Sequence, residues 1–340
     1  FKMKWSFLLL YLLFLKSCIN EEKIFDKLII ESKSRTYKIG DTLSFSIKSI
    51  VDYDSIKFFI DNTIIKSPYV FENNILGDKK LIVNLFRDGK KYSLSESVRL
   101  LSSSQPTLYS YKILNEFPHD IEAYTQGFEF YKGKLYESTG INGKSSLREV
   151  NFKTGVITRI KKIDKQYFSE GISIINDSIY QLTWMNNIGF IYDLKNFNLI
   201  RSFDYQNSKE GWGLCNDGKN LYKSDGSEKI WKLDLSTLNE LSYIQATTNK
   251  TILKKLNELE WVNGKIYANT YQFQKEVVVI IDPLSGKVEG VIDFSGLKQK
   301  VDQIESLNVL NGIAYNSTRN SFFITGKNWS KVFEVQIIQK

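Results

Sequence analysis

Histidine and cysteine are almost absent from this 340-residue sequence, which contains one histidine and two cysteines. Because His119 is the single imidazole, a zinc site rich in histidine is excluded, and a Ser-His-Asp triad would have to use that residue. The sequence also has no Gly-x-Ser-x-Gly, no Cys-x-x-Cys and no glycine-rich phosphate loop. Any catalysis must therefore depend on carboxylates, amides, lysines and aromatic side chains.

Long apolar runs with a helical period are scarce as well. Tyr, Phe, Ile and Val instead crowd short runs, and aromatic residues make up 14% of the chain, a composition that favours an all-β protein. Hydrophobic and charged residues make up 42% and 25%, the proportions of an ordinary globular protein. The length is long for one domain and comfortable for two.

The formal net charge is +8, and most of the positive charge comes from lysines scattered along the chain. A nucleic-acid-binding protein is expected to concentrate such charge in one patch with a recognisable module, and the sequence has neither. We therefore expect no nucleic-acid partner and a surface solvated by lysine. Weak attraction to anionic surfaces is the alternative.

Residues 2–18 have the pattern of a bacterial lipoprotein signal peptide. A basic start is followed by the apolar run from Trp5 to Leu15, which is too short to span a bilayer comfortably. The run ends in Leu-Lys-Ser-Cys, which resembles a lipobox, although Lys16 is unusual there. We predict a signal peptide over 1–18 and lipidation of Cys18. The mature chain would then be anchored to a membrane in the periplasm or cell envelope, unless the segment is an ordinary cleaved signal or a membrane anchor.

Acylation of Cys18 would leave Cys215 as the only other thiol, so the mature chain would have no intrachain disulfide. Cys215 lies within a β pattern, and we expect a buried, inert thiol there rather than a nucleophile. Stability must then come from packing alone.

Residues 24–104 alternate apolar and polar positions in short runs, with turn signals between them. The turns are expected at Gly40-Asp41, Asp61-Asn62, Gly77-Asp78 and Asp88-Gly89. Six or seven short strands in this length predict a small β-sandwich of immunoglobulin-like architecture. No residue in this region suggests a catalytic role, so we interpret the region as a spacer or interaction module.

Residues 107–340 contain a repeat that returns roughly every 40 to 55 residues, the length of a propeller blade. Its marker is a turn followed by a tyrosine- or phenylalanine-rich strand, at Lys132-Gly-Lys-Leu-Tyr136, Asn176-Asp-Ser-Ile-Tyr180, Asp217-Gly-Lys-Asn-Leu-Tyr222, Asn263-Gly-Lys-Ile-Tyr267 and Arg319-Asn-Ser-Phe-Phe323. Five such units predict a five-bladed β-propeller. The strand at Thr107–Leu114 is expected to complete the last blade beside Phe333–Ile338, because a ring must close to leave no open edge.

A second set of motifs recurs with the same period and combines polar with aromatic residues. It consists of Tyr124-Thr-Gln-Gly127, Phe168-Ser-Glu-Gly171, Glu210-Gly-Trp-Gly213, Asn257-Glu-Leu-Glu260 and Thr325-Gly-Lys-Asn-Trp329. Equivalent points of a repeat lie at one end of the ring, so these residues predict one shared pocket there.

Within 107–340 the chain resembles the plant and bacterial glutaminyl-peptide cyclotransferases (glutamine cyclotransferases). Besides the motifs above, the resemblance rests on Phe117-Pro-His-Asp120, Tyr136-Glu-Ser-Thr-Gly140, Gly143-Lys-Ser-Ser146, Tyr180-Gln-Leu-Thr-Trp184, Ser224-Asp-Gly-Ser227 and Leu310-Asn-Gly-Ile-Ala314. It implies a five-bladed propeller and an acyltransferase that converts the N-terminal glutamine of peptides or proteins to pyroglutamate with release of ammonia. It also implies no cofactor and no catalytic metal, although a structural cation on the propeller axis stays open, and we expect a monomer.

The resemblance also implies roles for polar residues of the predicted pocket. Glu170 would transfer the proton as general acid and base, and Lys327 would supply a cation beside the developing oxyanion. Gln126 and Asn257 would position the substrate amine or its γ-amide.

Five aromatic residues would line the same pocket. Trp184 and Trp212 would stack on the glutamine or on the next peptide unit, and Tyr124 and Phe168 would lie beside them. Tyr271 stands where the family usually has a second-wall tryptophan, which predicts an altered substrate preference or rate.

Other residues near these motifs receive structural interpretations. His119 is expected to brace the first loop, and Glu258 and Glu260 to hydrogen-bond loop amides at the mouth of the ring. Two functional alternatives stay open: a propeller that binds Gln-peptides without turnover, and a metal-dependent lactonase-type hydrolase.

Overall fold

The computed structural model describes residues 25–49, 51–73 and 75–340. The predicted signal peptide and Cys18 lie outside the described residues. The described chain is built of β-strands, with a single 3-10 turn at Lys298–Lys300. Within these residues, no helix has the length and apolarity needed to cross a membrane.

Nine strands form the N-terminal part. They are β1 (Phe25–Ile30), β2 (Thr36–Lys38), β3 (Thr42–Leu43), β4 (Phe45–Ser49), β5 (Ser55–Ile60), β6 (Thr63–Ile65), β7 (Tyr69–Val70), β8 (Gly77–Arg87) and β9 (Lys90–Leu101). A five-stranded sheet in the order β2-β9-β8-β5-β6 packs against the two-stranded sheets β1-β4 and β3-β7. Their apolar faces share one core, in which Leu43, Phe71 and Leu81 are fully buried. This is a small β-sandwich, as predicted.

The turn predicted at Gly77-Asp78 is wrong. Gly77 begins β8, an 11-residue strand, and Asp78 pairs across the ladder with Arg99 at 2.7 Å. The glycine serves a close contact instead, because a Cβ at this position would lie 2.2 Å from Oε1 of Gln245 in the propeller. That oxygen accepts the backbone N–H of Asp78 at 2.7 Å, so the Gly-Asp pair joins the sandwich to the propeller.

Twenty strands form the propeller. They are β10 (Thr107–Pro118), β11 (Thr125–Tyr131), β12 (Lys134–Thr139), β13 (Ser146–Val150), β14 (Ile157–Lys162), β15 (Ser169–Ile175), β16 (Ser178–Thr183), β17 (Ile188–Asp193), β18 (Leu199–Asp204), β19 (Leu214–Asn216), β20 (Asn220–Ser224), β21 (Lys229–Asp234), β22 (Glu240–Gln245), β23 (Leu256–Val262), β24 (Lys265–Thr270), β25 (Val277–Ile281), β26 (Val288–Asp293), β27 (Leu310–Asn316), β28 (Ser321–Gly326) and β29 (Lys331–Gln339). The first four blades are β11–β14, β15–β18, β19–β22 and β23–β26, and the fifth is β27-β28-β29-β10.

The ring closes between the two ends of this sequence. Strand β10 pairs antiparallel with β29, from Tyr109 opposite Gln339 to Pro118 opposite Lys331, as predicted. It also pairs in parallel with β26, which joins the fourth and fifth blades into one sheet. The inner strands β11, β15, β19, β23 and β27 contact one another around the axis, and β11 contacts β27. This closure confirms the predicted five-bladed propeller.

The predicted turn-and-strand markers lie between the first and second strands of the blades. Asn263 and Gly264, for example, have φ angles of 50° and 80°, the left-handed pair that a two-residue hairpin turn requires. These turns fix which residues of the inner strands face the neighbouring blade.

The inner strands are buried along most of their length because a blade packs against each face. Every residue of β15 is buried, whereas β14 at the outer edge alternates with exposed positions. All five inner strands run in the same direction, so they start at the same end of the ring. Gln126, Glu170 and Asn257 lie at these starts, which places buried polar side chains around one mouth.

Candidate active site

A pocket of about 250 Å³ opens at the mouth of the ring. Its lining consists of Tyr124, Gln126, Phe168, Glu170, Trp184, Trp212, Asn257, Tyr271 and Lys327. The fold thus brings together all nine residues that the sequence placed in the pocket. All five blades contribute to this lining, through their mouth loops and the starts of their inner strands. The fifth blade supplies Lys327, which follows β28.

Glu170 lies on the pocket floor with 4% of its surface exposed. Its Oε1 accepts a hydrogen bond from Nε2 of Gln126 at 3.2 Å, while its buried Oε2 has no protein partner. Burial raises the pKa of this carboxyl well above its usual range; the positive charge of Lys327 opposes the shift and Glu210 adds to it. A carboxyl with a raised pKa keeps its proton to higher pH than an exposed glutamate does.

Lys327 is the cation of the pocket, and it is 2% exposed. Its Nζ lies 4.7 Å from the ring centre of Tyr124 and 5.1 Å from that of Tyr271, distances typical of cation–π contacts. Burial lowers its pKa to about 8, and the attraction of Glu170 only partly offsets this. The ammonium can therefore donate a proton or a hydrogen bond within the pocket.

The two predicted amides are held in different ways. Gln126 has both ends of its amide occupied, because Oε1 accepts from Nδ2 of Asn311 at 3.1 Å while Nε2 donates to Glu170. Asn257 is buried, and its Oδ1 has no protein partner. Sequence reasoning gave Asn311 no role, although the Leu310-Asn-Gly motif contains it.

The first aromatic wall consists of Tyr124, Phe168 and Trp184. The ring centres of Tyr124 and Phe168 are 6.1 Å apart and those of Phe168 and Trp184 are 5.6 Å apart, both edge to face. The ring of Phe168 packs directly against Gly140. A side chain at position 140 would not fit, because its Cβ would lie 2.3 Å from the ring. Burial, with smaller contributions from Tyr271 and Glu170, raises the pKa of Tyr124 to about 12, so its hydroxyl stays protonated.

The second aromatic wall consists of Trp212, Tyr271 and Phe273. Tyr271 contacts Trp212 at 5.8 Å and Phe273 at 5.3 Å between ring centres. Phe273 is 61% exposed and extends this wall outward; the sequence gave no signal for it. Gly226, at φ 77°, lies against Trp212, and a Cβ at Gly226 would meet the indole at 2.5 Å.

Glu210 links the two walls and was not predicted as a site residue. Its Oε2 accepts the indole N–H of Trp184 at 2.8 Å and that of Trp212 at 2.7 Å. The recurrence of Glu210-Gly-Trp-Gly213 at an equivalent point of the repeat was the signal that could have identified it.

His119 lies beside the pocket rather than in it. Its Nδ1 lies 2.8 Å from the carbonyl oxygen of Trp329 and its Nε2 lies 3.0 Å from Oε1 of Glu137. That carboxyl oxygen also accepts the hydroxyl of Thr125. Burial lowers the pKa of His119, but the attraction of Glu137 outweighs this and the pKa is raised overall. His119 thus braces the mouth loops, as expected.

Glu258 and Glu260 do not contact mouth loops, contrary to expectation. Their side chains accept the backbone N–H groups of Ile313 and Tyr315 at 2.9 and 2.8 Å. These amides belong to the inner strand of the next blade, so the carboxyls join the fourth blade to the fifth. The sequence could not distinguish the two cases, because alternate positions of an inner strand face the neighbouring blade over its whole length.

Two further residue classes bear on the chemistry available here. Cys215 is 2% exposed, and burial raises the pKa of its thiol well above the usual value, so it is a packed side chain. Among the described residues, no group of three or more His, Cys, Asp or Glu side chains is arranged to hold a metal ion.

Comparison with known proteins identifies the family. A family model described as glutamine cyclotransferase matches residues 90–337. The chain belongs to the glutamine cyclotransferase family. A glutaminyl-peptide cyclotransferase of Arabidopsis thaliana is 37% identical over 232 residues, which cover 67% of this chain and 71% of the relative.

A solved structure of the family has the same fold. The crystal structure of Myxococcus xanthus glutaminyl cyclase matches with a TM-score of 0.64 and 31% identity, over 69% of this chain and 100% of that chain. Glutamine cyclotransferases are enzymes, so family membership makes this chain an enzyme.

Proposed function

We propose that this protein is a glutaminyl-peptide cyclotransferase, an aminoacyltransferase that converts the N-terminal glutamine of peptides or proteins to pyroglutamate and releases ammonia. Family membership supports the reaction, and the pocket supports the substrate. The observation that carries the proposal is the pair of buried acceptors, Oε2 of Glu170 and Oδ1 of Asn257, that have no protein partner.

These two acceptors match the leading residue of such a substrate. A buried polar atom without a hydrogen bond costs about 1–3 kcal/mol, so a site that contains two of them favours a ligand that donates to both. An N-terminal glutamine carries N–H donors on its α-amine and on its γ-amide. Binding of this residue would pair both acceptors at once.

Glu170 is the proton carrier in the proposed mechanism. Its carboxylate takes a proton from the α-amine as the amine nitrogen attacks the γ-carbonyl carbon and the new C–N bond forms. Glu170 then returns the proton to the amide nitrogen, the bond from the carbonyl carbon to that nitrogen breaks, and ammonia leaves. No water is consumed. Its raised pKa makes Glu170 a stronger base than an exposed glutamate, which favours the step in which it takes the proton from the amine.

Lys327 stabilises the negative charge that develops on the γ-carbonyl oxygen. Its ammonium lies in the same buried pocket as Glu170, where a charge acts through a lower dielectric than in water. Because its pKa is about 8, Lys327 is mostly protonated at neutral pH. Gln126 holds Glu170 by one oxygen and so keeps the other oxygen directed to the substrate.

The two aromatic walls supply the geometry. The glutamine side chain must fold back on its own amine, and flat rings on two sides of a narrow pocket favour that folded shape. They also exclude water, which would otherwise hydrolyse the amide. Tyr271 can supply such a wall in place of tryptophan, because its ring keeps the contacts with Trp212 and Lys327.

The deciding experiment is incubation of the purified protein with a peptide that begins with glutamine. We expect a mass decrease equal to one ammonia and one equivalent of free ammonia. A matched peptide that begins with asparagine, which is one methylene shorter, should remain unchanged. Tight binding of the glutamine peptide without any mass change would instead favour a binding propeller, and activity abolished by a chelator would favour a metal-dependent hydrolase.

We also propose that the enzyme works outside the cytoplasm, anchored by a lipid on Cys18, and that residues 24–104 form a spacer domain before the catalytic domain at 107–340. The Leu-Lys-Ser-Cys pattern supports the anchor. In a bacterial host, the full chain should fractionate with membranes, whereas Cys18→Ala should not carry the lipid mass. An unlipidated Cys18 in the mature parent protein would exclude the anchor.

A further inference from the structure

The side chain of Glu210 reaches a tryptophan on each side of the pocket. Trp184 follows the second strand of the second blade and Trp212 precedes the inner strand of the third. Both indole N–H groups point to the same oxygen, Oε2, at 2.8 and 2.7 Å. A carboxylate oxygen has two lone-pair directions and can accept both bonds.

We propose that Glu210 is a positioning residue of this active site, which locks the planes of Trp184 and Trp212 and so fixes the width of the slot that receives the substrate glutamine. This inference rests on the proposed function for its effect on catalysis, but its structural part concerns the substrate-free protein.

Trp184 needs such an anchor. Its side chain is 38% exposed, and its ring contact within the described residues is the edge-to-face contact with Phe168. An exposed indole held on one side can change rotamer. The hydrogen bond from its indole N–H to the carboxylate of Glu210 is stronger than one to a neutral acceptor. This bond holds the indole of Trp184 in one plane.

The backbone that carries Glu210 is itself fixed. The N–H of Gly211 donates to the carbonyl oxygens of Thr183 and Trp184 at 3.2 and 3.1 Å. The N–H of Trp212 donates to the carbonyl oxygen of Ser224 at 3.0 Å. Gly211 also packs closely, since a Cβ there would lie 2.4 Å from the hydroxyl of Tyr205. Glu210 therefore extends from a rigid segment, which is what a positioning role requires.

The carboxylate has a second, electrostatic consequence. Its negative charge contributes to the raised pKa of Glu170, while Lys327 acts in the opposite direction. Tyr124 and Tyr205 also interact with Glu170, but both are neutral hydroxyls at working pH. Substitutions of Glu210 can therefore separate the geometric effect from the electrostatic one.

The test compares Glu210→Gln and Glu210→Ala with the parent, and uses Glu122→Gln as a control for loss of one carboxylate from a mouth loop. Glutamine keeps an oxygen that can accept both indole N–H groups, and alanine does not. We expect Glu210→Ala to lower kcat/KM about 10- to 100-fold, the effect of a misplaced reactive group, with a raised KM. A variant that is only partly folded would lose kcat at unchanged KM.

Glu210→Gln should retain KM within about threefold of the parent because its acceptor is kept. Its acid limb in the pH profile of kcat/KM should move to lower pH, because the charge that raises the pKa of Glu170 is gone. Glu122→Gln should change neither value.

Tryptophan quenching by acrylamide tests the structural part without substrate. The sequence has six tryptophans, so the signal is assigned by repeating the measurement in a Trp184→Phe background. Quenching should increase in Glu210→Ala and not in Glu210→Gln. Parent-like KM and parent-like quenching in folded Glu210→Ala would overturn the inference. If the parent itself cyclises nothing, the proposed function fails, and the quenching comparison still decides whether Glu210 holds the walls.

Discussion

The side-chain amide of Gln126 donates to one oxygen of Glu170 at 3.2 Å and leaves the other oxygen without a protein partner. The amide cannot reverse its direction freely, because Asn311 donates to its oxygen at 3.1 Å. Glu170 thus has one oxygen held by the protein and one available to the reacting groups.

Glu170→Gln should lose cyclisation by about 10²- to 10⁴-fold, the usual contribution of a positioned general acid–base group. Glutamine keeps the shape and a hydrogen bond to Gln126 but cannot carry the proton. The rate is measured by ammonia release, with circular dichroism to verify the fold. Glu122→Gln, an exposed carboxyl on the same mouth, should retain the parent rate. A parent-like rate in Glu170→Gln would exclude Glu170 as the proton carrier.

The same substitution should stabilise the fold at neutral and alkaline pH. The pKa of Glu170 is raised in the folded state, so the folded protein binds a proton that the unfolded chain releases above pH of about 4.5. The stability that this bound proton contributes is fully present below the pKa of Glu170 in the unfolded chain. It is lost as the pH rises through the pKa of Glu170 in the folded protein. Urea unfolding of parent and Glu170→Gln at pH 5 and pH 8 should show an advantage of the variant that grows with pH, and an advantage that shrinks would contradict the shift.

Lys327→Met should be inactive or nearly so and yet more stable at neutral pH. Because the folded pKa is about 8 against an unfolded value of about 10.4, this lysine destabilises the fold progressively as pH falls from about 10.4 to about 8. The full effect below pH 8 is on the order of 3 kcal/mol. Urea unfolding at pH 7 and at pH 10 measures it. Equal stability of the parent and the variant at pH 7, with the fold intact, would disprove the shift.

Gly226→Ala should reduce both stability and activity, and Gly264→Ala should reduce stability alone. Both glycines have φ near 80°, so alanine introduces the same backbone strain, about 1 kcal/mol. At Gly264 the new Cβ meets no atom within 4 Å, whereas at Gly226 it meets the indole of Trp212 at 2.5 Å. The displaced wall should lower kcat/KM at least about tenfold. Equal kcat/KM in the two folded variants would show that the position of Trp212 is unimportant.

Tyr271→Phe should keep kcat/KM within about threefold, and Tyr271→Ala should raise KM about tenfold. The ring makes the contacts with Trp212, Phe273 and the ammonium of Lys327, and each such contact is worth on the order of 1 kcal/mol. Steady-state kinetics on one Gln-initiated peptide decide the matter. A large loss in Tyr271→Phe would show that the hydroxyl, rather than the ring, contributes to the site.

The repeat pattern predicted the propeller and its closure because it records a physical constraint: each blade needs the same turns and the same buried inner strand. The site residues followed from motifs at equivalent points of this repeat and from the family resemblance. Asn311 was missed because its partner, Gln126, lies in another blade. The motif of Glu210 recurred in the sequence, but the bond from Glu210 to Trp184 joins two different loops. Which side chains meet across blades depends on the ring, and one sequence does not record it.

The two wrong predictions, at Gly77 and at Glu258 and Glu260, also arise from contacts with residues that are distant in the sequence. At Gly77 the sequence pattern was that of a turn, but the glycine is required by an approach of Gln245 from far along the chain. Glu258 and Glu260 were expected at the mouth because their motif lies near it, yet their partners belong to the fifth blade. In each case the local pattern was informative about strands and uninformative about distant neighbours.

Strand β10 lies between β29 and β26 and joins the start of the propeller sequence to its end. The native ladder therefore needs contacts between segments separated by almost the entire propeller, the kind of pairing that forms slowly. Lys327 lies in the turn between β28 and β29, and Gln126 is the second residue of β11, the strand that follows β10. Catalytic competence should thus appear late in refolding, together with the docking of these terminal strands, and after most of the β-structure has formed.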